Sequence, residues 1–187
     1  MKALLKEINS SKAELIQGEG LYLPKSKIMI GGEFHHTVNG KDLQIDKNIV
    51  VDEGLIYILN TSIGAVAQEA SWFVAIFKNN YTPVAGDTAA LFPGVGVADE
   101  ASAEYDEGTR PAYTPNGTTS TVITNSSSPA AFTMNTTVSI YGAHMMSNST
   151  KAGTTGSLCA AAKFSAVRAL VSADVLNVTY QLTIADV

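Results

Sequence analysis

Residues 48–80 read NIVVDEGLIYILNTSIGAVAQEASWFVAIFKNN. The stretch opens on a β-branched run, Ile49, Val50 and Val51. A short amphipathic segment follows, with Leu55, Ile56, Ile58 and Leu59, and then a bend rich in Gly, Ala and Ser. From Ser71 to Phe77 nearly every position is apolar, and Trp72 is the only tryptophan in the chain. A strand apolar on both faces has to be covered on both, so Trp72 and Phe77 are expected in the middle of the core. The segment around residues 52–63 predicts one short helix that covers an open end of a β-structure. None of these residues carries catalytic chemistry.

Working outward, 187 residues allow one domain with a sizeable core, or one domain plus an arm. At 45% apolar the chain is not a disordered one. Charged residues make up 16%, below the usual quarter, and the polar remainder is mainly Ser, Thr, Asn and Gly. Thr favours strands and the others favour turns. A surface poor in charge also suits a protein that buries its outside against partners, because interface cores are depleted in charge. The net charge is −5 and no basic cluster is present, which argues against nucleic-acid binding. Cys159 is the single cysteine, so an intrachain disulfide framework is excluded. Its small apolar neighbours predict a buried, inert thiol. The opening MKALLKEINSSK lacks the apolar run of a signal peptide, and no segment approaches a membrane span. The expectation is a protein made in the cytoplasm, with no membrane partner.

Residues 1–20 are expected to form an N-terminal arm, weakly helical, with Leu4, Leu5 and Ile8 on one face. The arm would dock on its own domain or on a neighbour. Residues 21–187 are expected to form a single mainly β domain, a β-sandwich or jelly-roll-like barrel. Short strands are predicted at residues 21–24 and 28–30, with Gly31-Gly32 as a break. Asn39-Gly40 is the strongest hairpin signal in the chain, because both residues tolerate positive φ. Residues 80–106 are broken by Pro83, Gly86, Pro93, Gly94 and Gly96, and residues 88–92 predict one helical turn. From residue 118 onward, strands are predicted at 119–124, 130–134, 138–146 and 158–164, continuing at 167–171 after a bend. The last, residues 175–184, alternates Leu176, Val178, Tyr180, Leu182 and Ile184 with polar residues. Burying those five side chains would contribute on the order of 8–15 kcal/mol before entropy is charged. Phe132 is placed in the same core.

The chain offers little chemistry. No G-x-S-x-G elbow is present, and Gly94-Val95-Gly96 lacks the context of a phosphate loop. His35 and His36 are adjacent on a strand and point to opposite faces, so they cannot share a metal, and both are expected at the solvent or at a sheet edge. His144 has apolar neighbours and is expected at an edge or interface. Asp99, Glu100, Glu104, Asp106 and Glu107 read as a solvated acidic loop, with Arg110 pairing locally to one of them at the surface. No catalytic, cofactor-binding or metal-ligating residue is assigned, and no enzymatic activity is expected. Tyr81, Tyr105 and Tyr113, with Phe92, lie in loops and are taken as partner contacts; the tyrosines could instead form a sugar-binding platform. The polar loop at residues 147–156 is a further expected contact.

The ordered set NIVVDEGLIYILN, SWFVAIFKNNYTPVAGDTAA, YDEGTRPAYTP, ITNSSSPAAFTMN, IYGAHMMS and GSLCAAAKF resembles a group of tailed-bacteriophage virion proteins. Their shared motifs read N-L-V-V-x-E-G-L, W-Y-x-G-L-F, T-P-x-x-G-D-T, Y-x-E-x-T-R-P and N-S-x-S-P-x-x-F. The likeness runs from about Gly32 to the C-terminus; Ala75 stands where those proteins carry Gly. The resemblance implies a virion structural protein. The first expectation is a capsid decoration (cement) protein, a homotrimer clamping neighbouring major capsid subunits. A low-copy tail, head–tail adaptor or fibre component is the alternative, and a carbohydrate-binding host-attachment module the second.

Overall fold

The computed structural model describes residues 28–117 and 120–186 in full, together with the backbone of Ala13–Leu15 and Tyr22–Pro24. Its longest pairing joins β3 (Ile28–Val38) to β12 (Val175–Asp186), antiparallel from Leu176↔Val38 to Asp186↔Ile28. β-Branched and aromatic residues at alternate positions give both strands one face for the core and one for water. Asn39 and Gly40, both at positive φ, turn β3 into β4 (Lys41–Lys47). β8 (Val122–Thr124) and β9 (Ala130–Thr133) pair with successive parts of β12. This first sheet has the order β4-β3-β12-β8, with β9 also on β12. The second has the order β5-β11-β10-β6-β7, built from β5 (Ile49–Val50), β6 (Trp72–Phe77), β7 (Ala112–Tyr113), β10 (Val138–Met146) and β11 (Leu158–Leu170). The two antiparallel sheets form a β-sandwich around Phe34, Val74, Ile76, Phe132, Ile140, Phe164, Leu176, Val178 and Tyr180. The jelly-roll part of the expectation is not confirmed by this strand order.

The single helix among the described residues, α1 (Asp52–Ser62), lies against β11 and turns Leu55 and Ile58 to the core. Gly54 is required there, because a Cβ would collide with the Cys159 carbonyl of β11. β6 is covered on both faces, as its composition requires. Val74 and Ile76 face the other sheet, while Phe77 packs under Ala89, Phe92 and Ala98 from the irregular segment. In that segment residues 88–92 make one turn, with the amide of Phe92 bonded to the Thr88 carbonyl.

Several expectations are corrected. Gly31-Gly32 does not break β3. At Gly32 a side chain would strike the Gln181 backbone, so glycine keeps the strand continuous there. β11 is one strand to Leu170, and the expected bend is a bulge within it: between the pairs Ile140↔Arg168 and Gly142↔Lys163, β11 advances five residues against two of β10, with a second register shift between Met145 and Met146. Ala13–Leu15 (β1) is a strand, not helix, paired with Tyr22–Pro24 (β2). A boundary at residue 20 therefore falls between paired strands. Trp72 and Leu182 are half-buried, and Ile184 is 39% exposed, so the expected core thins toward these positions among the described residues.

Candidate functional site

Three features of this scaffold gather polar, titratable or unfilled groups. The first is inside the molecule. Glu100, Arg110 and His144 have side chains fully shielded from solvent. Arg110 follows the irregular segment and its guanidinium forks onto Glu100, with Nε donating to Oε1 at 2.8 Å and Nη2 to Oε2 at 2.6 Å. Nη1 donates to the Asn148 carbonyl (2.7 Å) and Nη2 also to that of Gly153 (2.9 Å). The Ala152 amide donates to Glu100. Burial pushes the Glu100 carboxyl up, but His144 and the Arg110 guanidinium outweigh it and hold it down at about 2. His144 comes from β10 with Nε2 3.2 Å from Glu100 Oε2, and its ring packs on Phe92. Burial lowers its pKa, so the imidazole is neutral. Four hydrogen bonds tie the guanidinium to Glu100 and to two carbonyls of the loop at 147–156, so the arrangement fastens that loop to the sheet.

The second feature joins the sheets. His36 of β3 is buried, stacked on Phe164 at 3.6 Å between ring centroids. Arg168 Nε donates to His36 Nδ1 at 2.9 Å, which puts the ring hydrogen on Nε2, bonded to Asp46 at 2.8 Å. Asp46 also accepts the Ser165 amide of β11. Burial, with the Arg168 charge added, lowers His36 to about 4 against the pull of Asp46.

The third is a cavity of about 570 Å³ at one open end of the sandwich. Trp72, Met145 and Cys159 line it from one sheet, and Ile123, Tyr180 and Leu182 from the other. Tyr57 of α1 stands edge-on to Trp72, with ring centroids 4.9 Å apart. The Tyr113 hydroxyl is buried in the lining with no hydrogen-bond partner among the described residues, and burial raises its pKa to about 12. Burial likewise raises the Cys159 thiol to about 12, so it is held protonated.

The predicted contact residues do not converge. Phe92 and Tyr105 are buried, the first because it caps the outer face of β6, the second because its ring packs edge-on to Phe132. Neither is available to a partner. Tyr81 is folded back on Phe92 and donates to Asp87 at 2.8 Å. Tyr113 belongs to the cavity, so the three tyrosines make no common sugar platform. Leu4, Leu5 and Ile8 lie outside the described residues. His36 and His144 are core groups, not edge or interface ones: His36 bonds Asp46 inside, while His144 is fully buried 3.2 Å from Glu100 with neither ring nitrogen in hydrogen-bond geometry among the described residues. The acidic loop is not simply solvated: Glu100 is buried, Glu104 binds Lys78 at 2.8 Å, and Glu107 accepts the Thr133 amide. Missed altogether was the outer face of the first sheet, where Leu43 and Ile45 are 61% and 51% exposed. Period-2 alternation around the Asn39-Gly40 turn carried that signal.

Among the described residues no cluster of three or more His, Cys, Asp or Glu is placed to hold a metal, and no helix is long and apolar enough to cross a membrane. No family model and no curated protein matches the chain.

Proposed function

We propose that this chain is a virion structural protein of a tailed phage, a capsid decoration protein that acts by adhesion and without catalysis. Its partners are the major capsid protein and further copies of itself, as a homotrimer. The observation that carries the reading is the use made of the motif residues behind the resemblance. Asn48 bonds the Tyr180 hydroxyl, and Glu53 accepts the amides of Ala89 and Leu158. Asp87 accepts the Val84 amide, Arg110 forks onto Glu100, and Asn125 bonds Ser128 and Tyr180 across a turn. Asn48, Glu53, Arg110 and Asn125 thus tie loops and helix to the sheets, and Asp87 ties its own loop together, as expected where the resemblance is to a scaffold and not to an active centre. With many of its polar groups turned inward, the scaffold leaves apolar side chains outside. Leu43 and Ile45 stand on one sheet, and Val84, Leu91 and Val95 on the segment covering the other. Repeated across many subunits, such weak contacts sum to avidity.

Copy number per virion, by quantitative mass spectrometry against the major capsid protein, tests the proposal. Copies comparable to the capsid subunits support decoration. A ring-sized count of roughly six to eighteen moves the chain to the tail or its junction, where multivalent assembly runs around one axis. Absence from purified particles overturns the virion reading.

A further inference from the structure

The cavity at the open end of the sandwich, about 570 Å³, has the size of a small-molecule site. Tyr57 and Trp72 meet at 82° with ring centroids 4.9 Å apart, so two rings nearly at right angles form one corner of it. Tyr113 and Tyr180 add two more rings to the lining, their centroids 6.0 Å apart. The tyrosine hydroxyls are not the recognising groups. That of Tyr57 accepts the Glu69 amide at 2.7 Å, that of Tyr180 accepts Asn48 Nδ2 at 3.1 Å, and that of Tyr113 is shielded from solvent. What the rings offer a ligand is aromatic surface. One charge stands beside it. Glu69, exposed and next to Tyr57, is the single charged residue among the described residues of the lining, and no described lysine or arginine pairs with it. Residues 54–68, which lead up to it, carry no charge at all. The face of an aromatic ring is negative and attracts a cation, as a carboxylate does. The net charge of −5 acts in the same sense.

We propose that this cavity binds an organic cation, an alkylated ammonium group carried on an apolar body. The ammonium group sits at the Tyr57–Trp72 corner beside Glu69, and the apolar body lies on Ile123, Met145 and Leu182. Other classes of ligand match the walls less well. An anion meets a carboxylate and no counter-charge. A metal ion needs several oxygen ligands, and this lining supplies one carboxylate. A sugar needs polar partners around its ring, and the hydroxyls of Tyr57 and Tyr180 are already bonded. An alkylated ammonium carries its charge under methyl or methylene groups, holds water weakly, and is recognised by ring faces. The edge-on contact of Tyr57 with Trp72 sets the corner in place before a ligand arrives, which lowers the cost of binding. This assignment stands apart from the virion reading, since it needs no partner subunit.

Trp72, the sole tryptophan, sits at the cavity and reports its occupancy. The probe is benzyltrimethylammonium, titrated into the full chain by isothermal titration calorimetry with Trp72 emission followed alongside. The expected result is saturable binding that shifts the emission of Trp72. Choline should displace the probe. Dimethylbutanol, the uncharged carbon isostere of choline, should do so about fivefold less well, the worth of one cation–ring contact. Glu69→Gln should weaken binding by about twofold to fivefold. Tyr57→Leu removes one wall and should weaken it by about fivefold, while Tyr57→Phe, which keeps the ring, should retain most of the affinity. Circular dichroism checks the strand content of each variant. Absence of saturable binding overturns the proposal. So does equal displacement by choline and dimethylbutanol, which would make the cavity an apolar site blind to charge. Binding that neither Glu69→Gln nor Tyr57→Leu weakens places the cation elsewhere and overturns it too. The comparison of choline with its isostere is made on the unaltered chain, so it decides the matter even where a variant does not fold.

Discussion

Replacing Arg110 by Met should destabilise the fold by about 3–5 kcal/mol, the cost of breaking a buried ion pair by removing one partner. The structure supports the upper class of effect. Both side chains are fully shielded, and the Glu100 carboxylate would lose two short charge-assisted bonds while staying buried. The carbonyls of Asn148 and Gly153 would lose their donors as well. Domains of this kind are stable by about 5–15 kcal/mol in total, so the loss is a large fraction. For a chain of this size it corresponds to a fall in melting temperature of roughly 6–20 °C. The measurement is urea denaturation followed by Trp72 fluorescence, with melting by circular dichroism alongside. Adding Glu100→Gln to the variant removes the stranded charge and should recover part of the loss. A single-variant loss below about 1 kcal/mol, the value of an exposed pair, would refute the argument that this pair is sealed from water.

Acid should weaken the protein before its carboxylates titrate. His36 is held neutral at about 4 in the fold against 6.5 when free, so between those values the unfolded chain binds a proton that the folded one does not. Stability is therefore full above pH ~6.5 and falls by up to about 3 kcal/mol as pH drops to ~4. Urea midpoints that stay flat between pH 7 and 5 would contradict this. Gly54→Ala tests the helix seat with opposite signs. Helix propensity alone predicts a gain of about 1 kcal/mol, whereas collision with the Cys159 backbone predicts a loss of about 1–3 kcal/mol. Thermal melts of the variant decide between them.

How much could be read in advance depended on the range of the interaction. The Asn39-Gly40 hairpin, the helix after Val51 and the alternation of Leu176, Val178 and Tyr180 are written in neighbouring residues, and all appear in the fold. Gly31-Gly32 misled because its reason lies across the sheet, in Gln181, and nothing local announces it. Arg110 and Glu100 are ten residues apart and look like a surface pair. That they are buried depends on the loop at 147–156 folding over them. Phe92 read as a loop aromatic because β6 had not yet been given its outer cover. The cavity was the least legible feature, since its walls come from α1 and from both sheets.

The antiparallel pairing of β3 with β12 also has a mechanical side. Ile28 and Asp186 are direct partners, so the sandwich receives the chain and releases it at one point. A force applied through the two ends would open that ladder one rung at a time, as a zipper is pulled, and would not load its rungs in parallel. Tension delivered that way meets the weakest direction of the sheet. A subunit that has to bear load in an assembly is therefore better gripped on its flat faces, where the strain is shared across both sheets at once.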